Sequence, residues 1–167
     1  CPRVYVAMVT EVFQRGLTKC LVGTRGLLGE GWDASRVNVL IDLTTVTTST
    51  SINQLRGRSL RLDADDPAKL AHNWDVICIA PEYTKGLDDY ARFIKKHDSL
   101  FGLTDDGVIE KGVGHVHAAF TEIAPELVEG SMHVLNAEML ERPARRAEFR
   151  PLWQIGEPYH PDPVHAL

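Results

Sequence analysis

No apolar run in this chain approaches the roughly 20 residues that a bilayer-spanning helix requires. The opening CPRVYVAMV also lacks a basic stretch followed by a clean apolar one, so no membrane partner is expected and the chain reads as cytoplasmic. Cysteine is scarce: Cys1, Cys20 and Cys78 are odd in number and far apart, which argues against a disulfide framework. Cys20 in KCLVG and Cys78 in DVICIA sit within apolar runs and are expected as buried thiols. No internal repeat or low-complexity tract is present, and 44% apolar with 25% charged residues excludes wholesale disorder. A length of 167 residues suits one domain with appendages. The start at Cys1, without an initiator methionine and already in helical periodicity, suggests part of something longer.

Several chemical signatures are missing too. There is no GxxxxGK[ST] loop to cradle a triphosphate and no acidic DExx run at a strand end to hold magnesium, so the chain is not a complete nucleotide hydrolase. GLLGEG, from Gly26 to Gly31, is spaced GxxGxG and is not a dinucleotide fingerprint. GxSxG, the serine-hydrolase elbow, is absent.

What is present begins with an uneven charge distribution. Residues 1–61 carry eight Lys/Arg against four Asp/Glu, a balance of +4, whereas residues 62–167 carry ten against nineteen, a balance of −9. The first part is therefore suited to meeting polyanions. Val4, Met8 and Val12, with the pair Val9 and Phe13, recur at helical spacing, and Gly16 supplies a stop. CLVGT (20–24), VNVLIDL (37–43) and WDVICIA (74–80) are short, apolar and β-branched, as strands covered on both faces are. Strands alternating with helices predict an α/β fold, a parallel sheet with helices on both faces. Ligands of such sheets sit beyond the carboxyl ends of the strands, where the glycine- and threonine-rich segments 24–33 and 44–51 begin. The Ser/Thr cluster before Gln54 is suited to capping the next helix.

Beyond Ala80 the pattern changes. Pro81 breaks the strand, 87–103 reads as a helix with Tyr90, Phe93, Ile94 and His97 inward, 107–120 as a small hairpin, and 125–141 as another helix. The expected organisation is 1–80 as the α/β part, 81–150 as a mainly helical extension, and 151–167 as a proline-rich tail.

One stretch carries the chemistry: QLRGRSLR, Gln54 to Arg61. It puts Gln54, Arg58 and Arg61 at i, i+4 and i+7, one face of a helix, with Gly57 leaving room for a backbone or ligand. A glutamine and two permanently charged guanidiniums suit a phosphate being cleaved. Upstream, a strand-like segment ends in GTRGLLGEGWD. Val22 to Asp33 resembles motif V, and Gln54 to Arg61 resembles the QxxGRxxR of motif VI, of the superfamily 2 DNA and RNA helicases. Within that superfamily the chain is most similar to excision-repair helicases and restriction-motor subunits. The resemblance covers about residues 4–80.

The resemblance implies a three-layer RecA-like C-terminal lobe, incomplete at its N-terminus, that meets ATP and Mg2+ held mainly by a separate N-terminal RecA-like lobe. Arg58 and Arg61 would be arginine fingers, with Gln54 near the same phosphate. Gly31 and Asp33 would approach the nucleotide, and Thr24 and Arg25 would contact the nucleic-acid backbone, DNA more readily than RNA. The threonine-rich loop, including Thr47 and Thr48, offers hydroxyls and NH groups of the kind that grip phosphates without reading sequence. Plainer readings stand beside these. The arginines could form a solvated helix face, Asp33 an N-cap, Thr44–Thr50 a capping loop, and Trp32 core rather than a stacking platform. His115 and His117 would face one way in a strand, without further metal ligands nearby, and no metal site is expected. Asp63, Asp65 and Asp66 read as a hydrated turn, and the Arg142, Arg145, Arg146 and Arg150 cluster as a basic face. Two rival functions remain: a non-catalytic nucleic-acid-binding lobe, and a nucleotide- or sugar-binding α/β domain with a fortuitous motif.

Overall fold

The helical periodicity at the start of the chain is realised as α1 (Pro2–Gln14). It ends at Gly16, whose φ of +73° lies in the left-handed region that glycine enters at little cost. A computed structural model describes residues 2–28, 31–122 and 124–153. Within it, α1 buries a different stripe from the one that predicts it. Val6 and Phe13 pack with Leu21 and Leu28 against Trp32, Ala34 and Val37, whereas Val4 and Met8 are 56% and 59% exposed. The helix is apolar on more than one side, and only one side is covered among the described residues.

The expected strand at 20–24 does not form. Backbone NH and carbonyl groups of a strand need a partner strand, and residues 20–24 join no ladder; Val22 is 89% exposed. Cys20 and Cys78 are likewise exposed free thiols rather than buried ones, because neither apolar run ends up in a covered sheet. After α2 (Arg25–Leu28), a single turn opened by the Thr24 carbonyl, come β1 (Val39–Asp42), α3 (Ser49–Ser59) and β2 (His72–Asp75).

β1 and β2 pair in parallel, Val39 opposite His72 through Asp42 opposite Asp75. The second strand is thus HNWD rather than the apolar stretch 74–80. Ile77 and Ile79 leave the ladder to pack into the core of the second half. The result is a mixed α/β architecture with a small parallel sheet and helices.

In the second half, α4 (Asp88–His97) starts with Asp88 and Asp89 and ends with Lys95, Lys96 and His97, which suits its dipole. Tyr90, Phe93 and His97 are buried on its inner side, as the periodicity predicts. The helix stops at His97 rather than at Leu103, because Phe101–Leu103 becomes β3, antiparallel to β4 (Ile109–Lys111). Gly107 at φ +87° permits the turn between them, so a hairpin forms over 101–111 rather than over the expected 107–120, the later part of which becomes a 3-10 turn and the start of a short helix. A 3-10 turn (Gly112–His115), α5 (Ala119–Glu122), α6 (Pro125–Glu141), a second 3-10 turn (Arg142–Arg145) and α7 (Arg146–Leu152) follow. Val128 and Leu135 of α6 close the core formed with Tyr90, Phe93 and Val113. Residues 154–167 of the expected tail lie outside the described residues. Among the described residues no helix is long and apolar enough to cross a membrane.

Candidate functional site

Of the residues singled out in QLRGRSLR, Gln54 and Arg58 lie on α3 as expected. Arg61 does not, because the helix ends at Ser59 with Leu60 as its C-cap. Gln54 and Arg58 line a cleft of about 1140 Å3, and Arg25, Gly31, Trp32 and Asp33 of the upstream segment line the same cleft. The Arg58 guanidinium donates from Nη1 to the Trp32 carbonyl. Arg61 instead forms an ion pair with Asp33, with side-chain exposures of 39% and 65%. That exposure leaves the pair screened and cheap to break. Trp32 is core, 8% exposed, and its Nε1 donates to Thr10 Oγ1 at 2.8 Å.

The threonines divide. Thr24 is exposed and its carbonyl accepts from Leu27 and Leu28, both at 3.0 Å, so its main chain opens α2 beside the cleft. Thr48 occupies the N-cap of α3 in extended conformation, yet its side chain makes no capping hydrogen bond. Thr47 is half-buried, and neither it nor Thr48 lines the cleft. Gly57 has open space where a Cβ would lie, so no close packing among the described residues accounts for it.

A second constellation escaped the sequence reading. Asp42 and Asp75 end the two parallel strands, and Lys96 of α4 reaches both, 2.6 Å from Asp42 Oδ2 and 2.5 Å from Asp75 Oδ1. Arg56 of α3 donates from Nη2 to Asp75 Oδ2 at 2.8 Å and lies 3.0 Å from His97 Nε2. Lys96 is 5% exposed and His97 2%. His97 Nδ1 is 2.8 Å from the Phe93 carbonyl, which can only accept, so the neutral ring carries its proton on Nδ1 and presents the Nε2 lone pair to Arg56.

Burial, aided by the nearby Arg56 charge, holds the His97 pKa down at about 4, against the pull of the Phe93 carbonyl and Asp75. Burial alone would raise the Asp42 carboxyl, but hydrogen bonds from Lys96 and Thr44 outweigh it and leave its pKa lowered. Two carboxylates balance Lys96 and Arg56, and each ion has a partner. Such a network fixes positions and leaves no group free to react. Its sequence signal was faint: one aspartate near the end of the run 37–43, another near the start of the run 74–80, and a lysine beside an inward histidine.

The two histidines expected to face one way do not, since His115 lies in a 3-10 turn, its Nδ1 2.5 Å from the Gly112 carbonyl, while His117 Nε2 meets Glu138 at 2.9 Å. Asp63 and Asp66 close a turn, and Asp65 pairs with Arg36. Among the described residues no group of three or more His, Cys, Asp or Glu side chains is arranged to hold a metal ion.

Fold and site together define a mixed α/β protein with an open cleft beside α3 and a largely buried charge network at the strand ends. Compared with protein-family models, with curated proteins and with solved structures, the chain gives no match.

Proposed function

We propose that this chain is the motif V and motif VI part of the C-terminal RecA-like lobe of a cytoplasmic superfamily 2 helicase or translocase, three-layered when complete and acting on DNA in preference to RNA. The observation that carries the reading is the cleft: Gln54 and Arg58 from α3 converge there with Arg25, Gly31 and Asp33 from a segment some twenty residues earlier. The residues fit a nucleotide in part. Arg25, Arg58 and Gln54 offer donors for phosphate oxygens, while among the described residues no lysine lines the cleft to cradle a triphosphate. Nor does the described chain offer a carboxylate set for Mg2+. ATP and its metal would therefore be held mainly by the N-terminal lobe, and ATP would supply the phosphoryl group that is transferred.

The chain's own residues would do the following. Arg58 would leave the Trp32 carbonyl, and Arg61 its pair with Asp33, to hold charge developing on the transferred group, with Gln54 beside the same phosphate. Arginine fingers of this kind are worth roughly 10³ to 10⁵ in rate. Thr24 and Arg25, on the basic side of the chain, would meet the nucleic-acid backbone.

The test is DNA-stimulated ATP hydrolysis by the protein joined to its nucleotide-holding lobe. Arg58→Ala should lower turnover by about 10³ or more while nucleotide affinity stays within a few-fold. Residues 1–167 alone should not hydrolyse ATP. Wild-type turnover in the variant would refute the finger role. A second reading, a non-catalytic nucleic-acid-binding lobe, draws on both guanidiniums already being engaged inside the chain. Salt-sensitive DNA binding without any DNA-stimulated hydrolysis would favour it.

A further inference from the structure

Arg56 belongs to the QLRGRSLR stretch, yet it does not line the cleft. With about 100° between successive helix residues, Ile52, Arg56 and Ser59 share one face of α3, at i, i+4 and i+7, while Gln54 and Arg58 fall roughly opposite. Ile52 is 3% exposed and Ser59 fully buried, and no other residue of α3 is buried. Leu55, the other apolar residue of the helix, is half-buried and lines the cleft. One isoleucine does not fix the rotation of a helix by packing, because orientation is specified where several side chains interlock with a neighbour.

Polar contacts supply what packing lacks. Ser59 Oγ lies 2.7 Å from Asn73 Oδ1 on β2, and Arg56 Nη2 donates to Asp75 Oδ2 at 2.8 Å. Asp75 is not free to follow a turning helix, since Lys96 of α4 holds its Oδ1 at 2.5 Å and is itself held by Asp42 at 2.6 Å. His97 Nε2, also on α4, lies 3.0 Å from the same Arg56 nitrogen. The pair of Arg56 and Asp75 is shielded, with side-chain exposures of 18% and 7%, so salt and solvent screen it weakly. β2 and α4 therefore grip α3 through one guanidinium.

We propose that Arg56 is a positioning residue, its pair with Asp75 setting the rotation of α3 and with it the place of Gln54 and Arg58 in the cleft. Its effect on turnover rests on the helicase reading of that cleft: where Gln54 and Arg58 meet a phosphate, Arg56 governs the rate without touching nucleotide. Side chains end about 5–6 Å from a helix axis, so a turn of about 10° displaces them by about 1 Å. Misplacement on that scale costs up to about 100-fold in rate.

Two measurements separate this role from the helicase reading. On the full chain, the side-chain Nε–Hε NMR signal of Arg58, assigned by its loss in Arg58→Ala, should shift or broaden in Arg56→Gln, although the two side chains leave opposite sides of the helix. In the protein joined to its nucleotide-holding lobe, Arg56→Gln should lower kcat for DNA-stimulated ATP hydrolysis by about 10- to 100-fold while KM for ATP stays within about threefold. In an Arg58→Ala background the same change should cost less than about threefold, as expected of a residue that acts through Arg58. Asp75 keeps Lys96 in Arg56→Gln, so its carboxylate is not stranded. Should that variant nonetheless fold poorly, Ser59→Ala, which removes the other tether, should move the same signal and lower kcat by about threefold or more. An unmoved Arg58 signal, an unchanged kcat, or an equal loss with and without Arg58 would each overturn the proposal. A wild type that hydrolyses no ATP would refute the helicase reading instead, and the Arg58 signal would then decide the positioning role by itself.

Discussion

Replacing Lys96 by methionine removes the one cation shared by both strand-end carboxylates. In the wild type its ammonium, 6% exposed, holds Asp42 and Asp75, whose side chains are 10% and 7% exposed. Methionine fills similar volume, so the change is chiefly electrostatic. Asp75 keeps Arg56 at 2.8 Å, but Asp42 keeps only the neutral donors of Thr44. Breaking a buried pair on one side costs about 3–5 kcal/mol. For a chain of this size that lowers the melting temperature by roughly 6–20 °C.

Urea unfolding at pH 7 measures the loss directly. A second signature separates charge from packing. Without Lys96, burial raises the Asp42 carboxyl, so protonation relieves the variant and its deficit against wild type should shrink between pH 7 and pH 5. Asp42→Asn combined with Lys96→Met should recover much of the loss, because no charge is then stranded. A single-variant loss below about 1 kcal/mol, or a deficit that does not change with pH, would refute the reasoning.

Two further outcomes follow from the same structure. His97 titrates at about 4 when folded against an ordinary 6.5, so the unfolded chain binds the extra proton between those values and stability falls on acidification through that window. At about 1.4 kcal/mol per pH unit the loss amounts to roughly 3 kcal/mol, absent in His97→Gln, and denaturation midpoints from pH 7 to pH 4 measure it. Gly57→Ala should stabilise the chain by about 1 kcal/mol, since a helix interior disfavours glycine and the added methyl meets open space. Thermal unfolding reports this, and a lowered melting temperature would mean that something packs there.

How much was legible in the sequence depended on how local each signal was. α6 has the bounds that the sequence suggests, 125–141, because Pro125 suits a first helical turn and Pro143 ends the run. The inward face of α4 follows from Tyr90, Phe93 and His97 at helical spacing. Strand identity failed where it depended on neighbours. CLVGT has strand composition but no ladder, whereas HNWD, with weak strand composition, pairs because β1 lies beside it. The cleft was half legible: Gln54, Arg58, Arg25, Gly31 and Asp33 meet there, while Thr47 and Thr48 do not. The charge network was not legible, because pairing Lys96 with Asp42 depends on residues 54 positions apart.

The same helix explains why reading QLRGRSLR by its face caught one half of its role. At about 100° per residue, Gln54 and Arg58 are roughly 40° apart, whereas Arg56 and Arg58 are roughly 200° apart. Arg58 therefore turns to the cleft while Arg56 turns to Asp75 and His97. Ser59, fully buried, adds a second anchor, its Oγ 2.7 Å from Asn73 Oδ1 on β2. The side of α3 that is fixed to the sheet thus sets the angle at which the other side presents Gln54 and Arg58. Arg61, one residue beyond the C-cap, is freed from that spiral and placed instead by Asp33. A motif that reads as one face is therefore three structural devices: an anchor at Arg56 and Ser59, a cleft wall at Gln54 and Arg58, and an exposed ion pair at Arg61. Chemistry at the cleft would depend on the anchor as much as on the residues that line it.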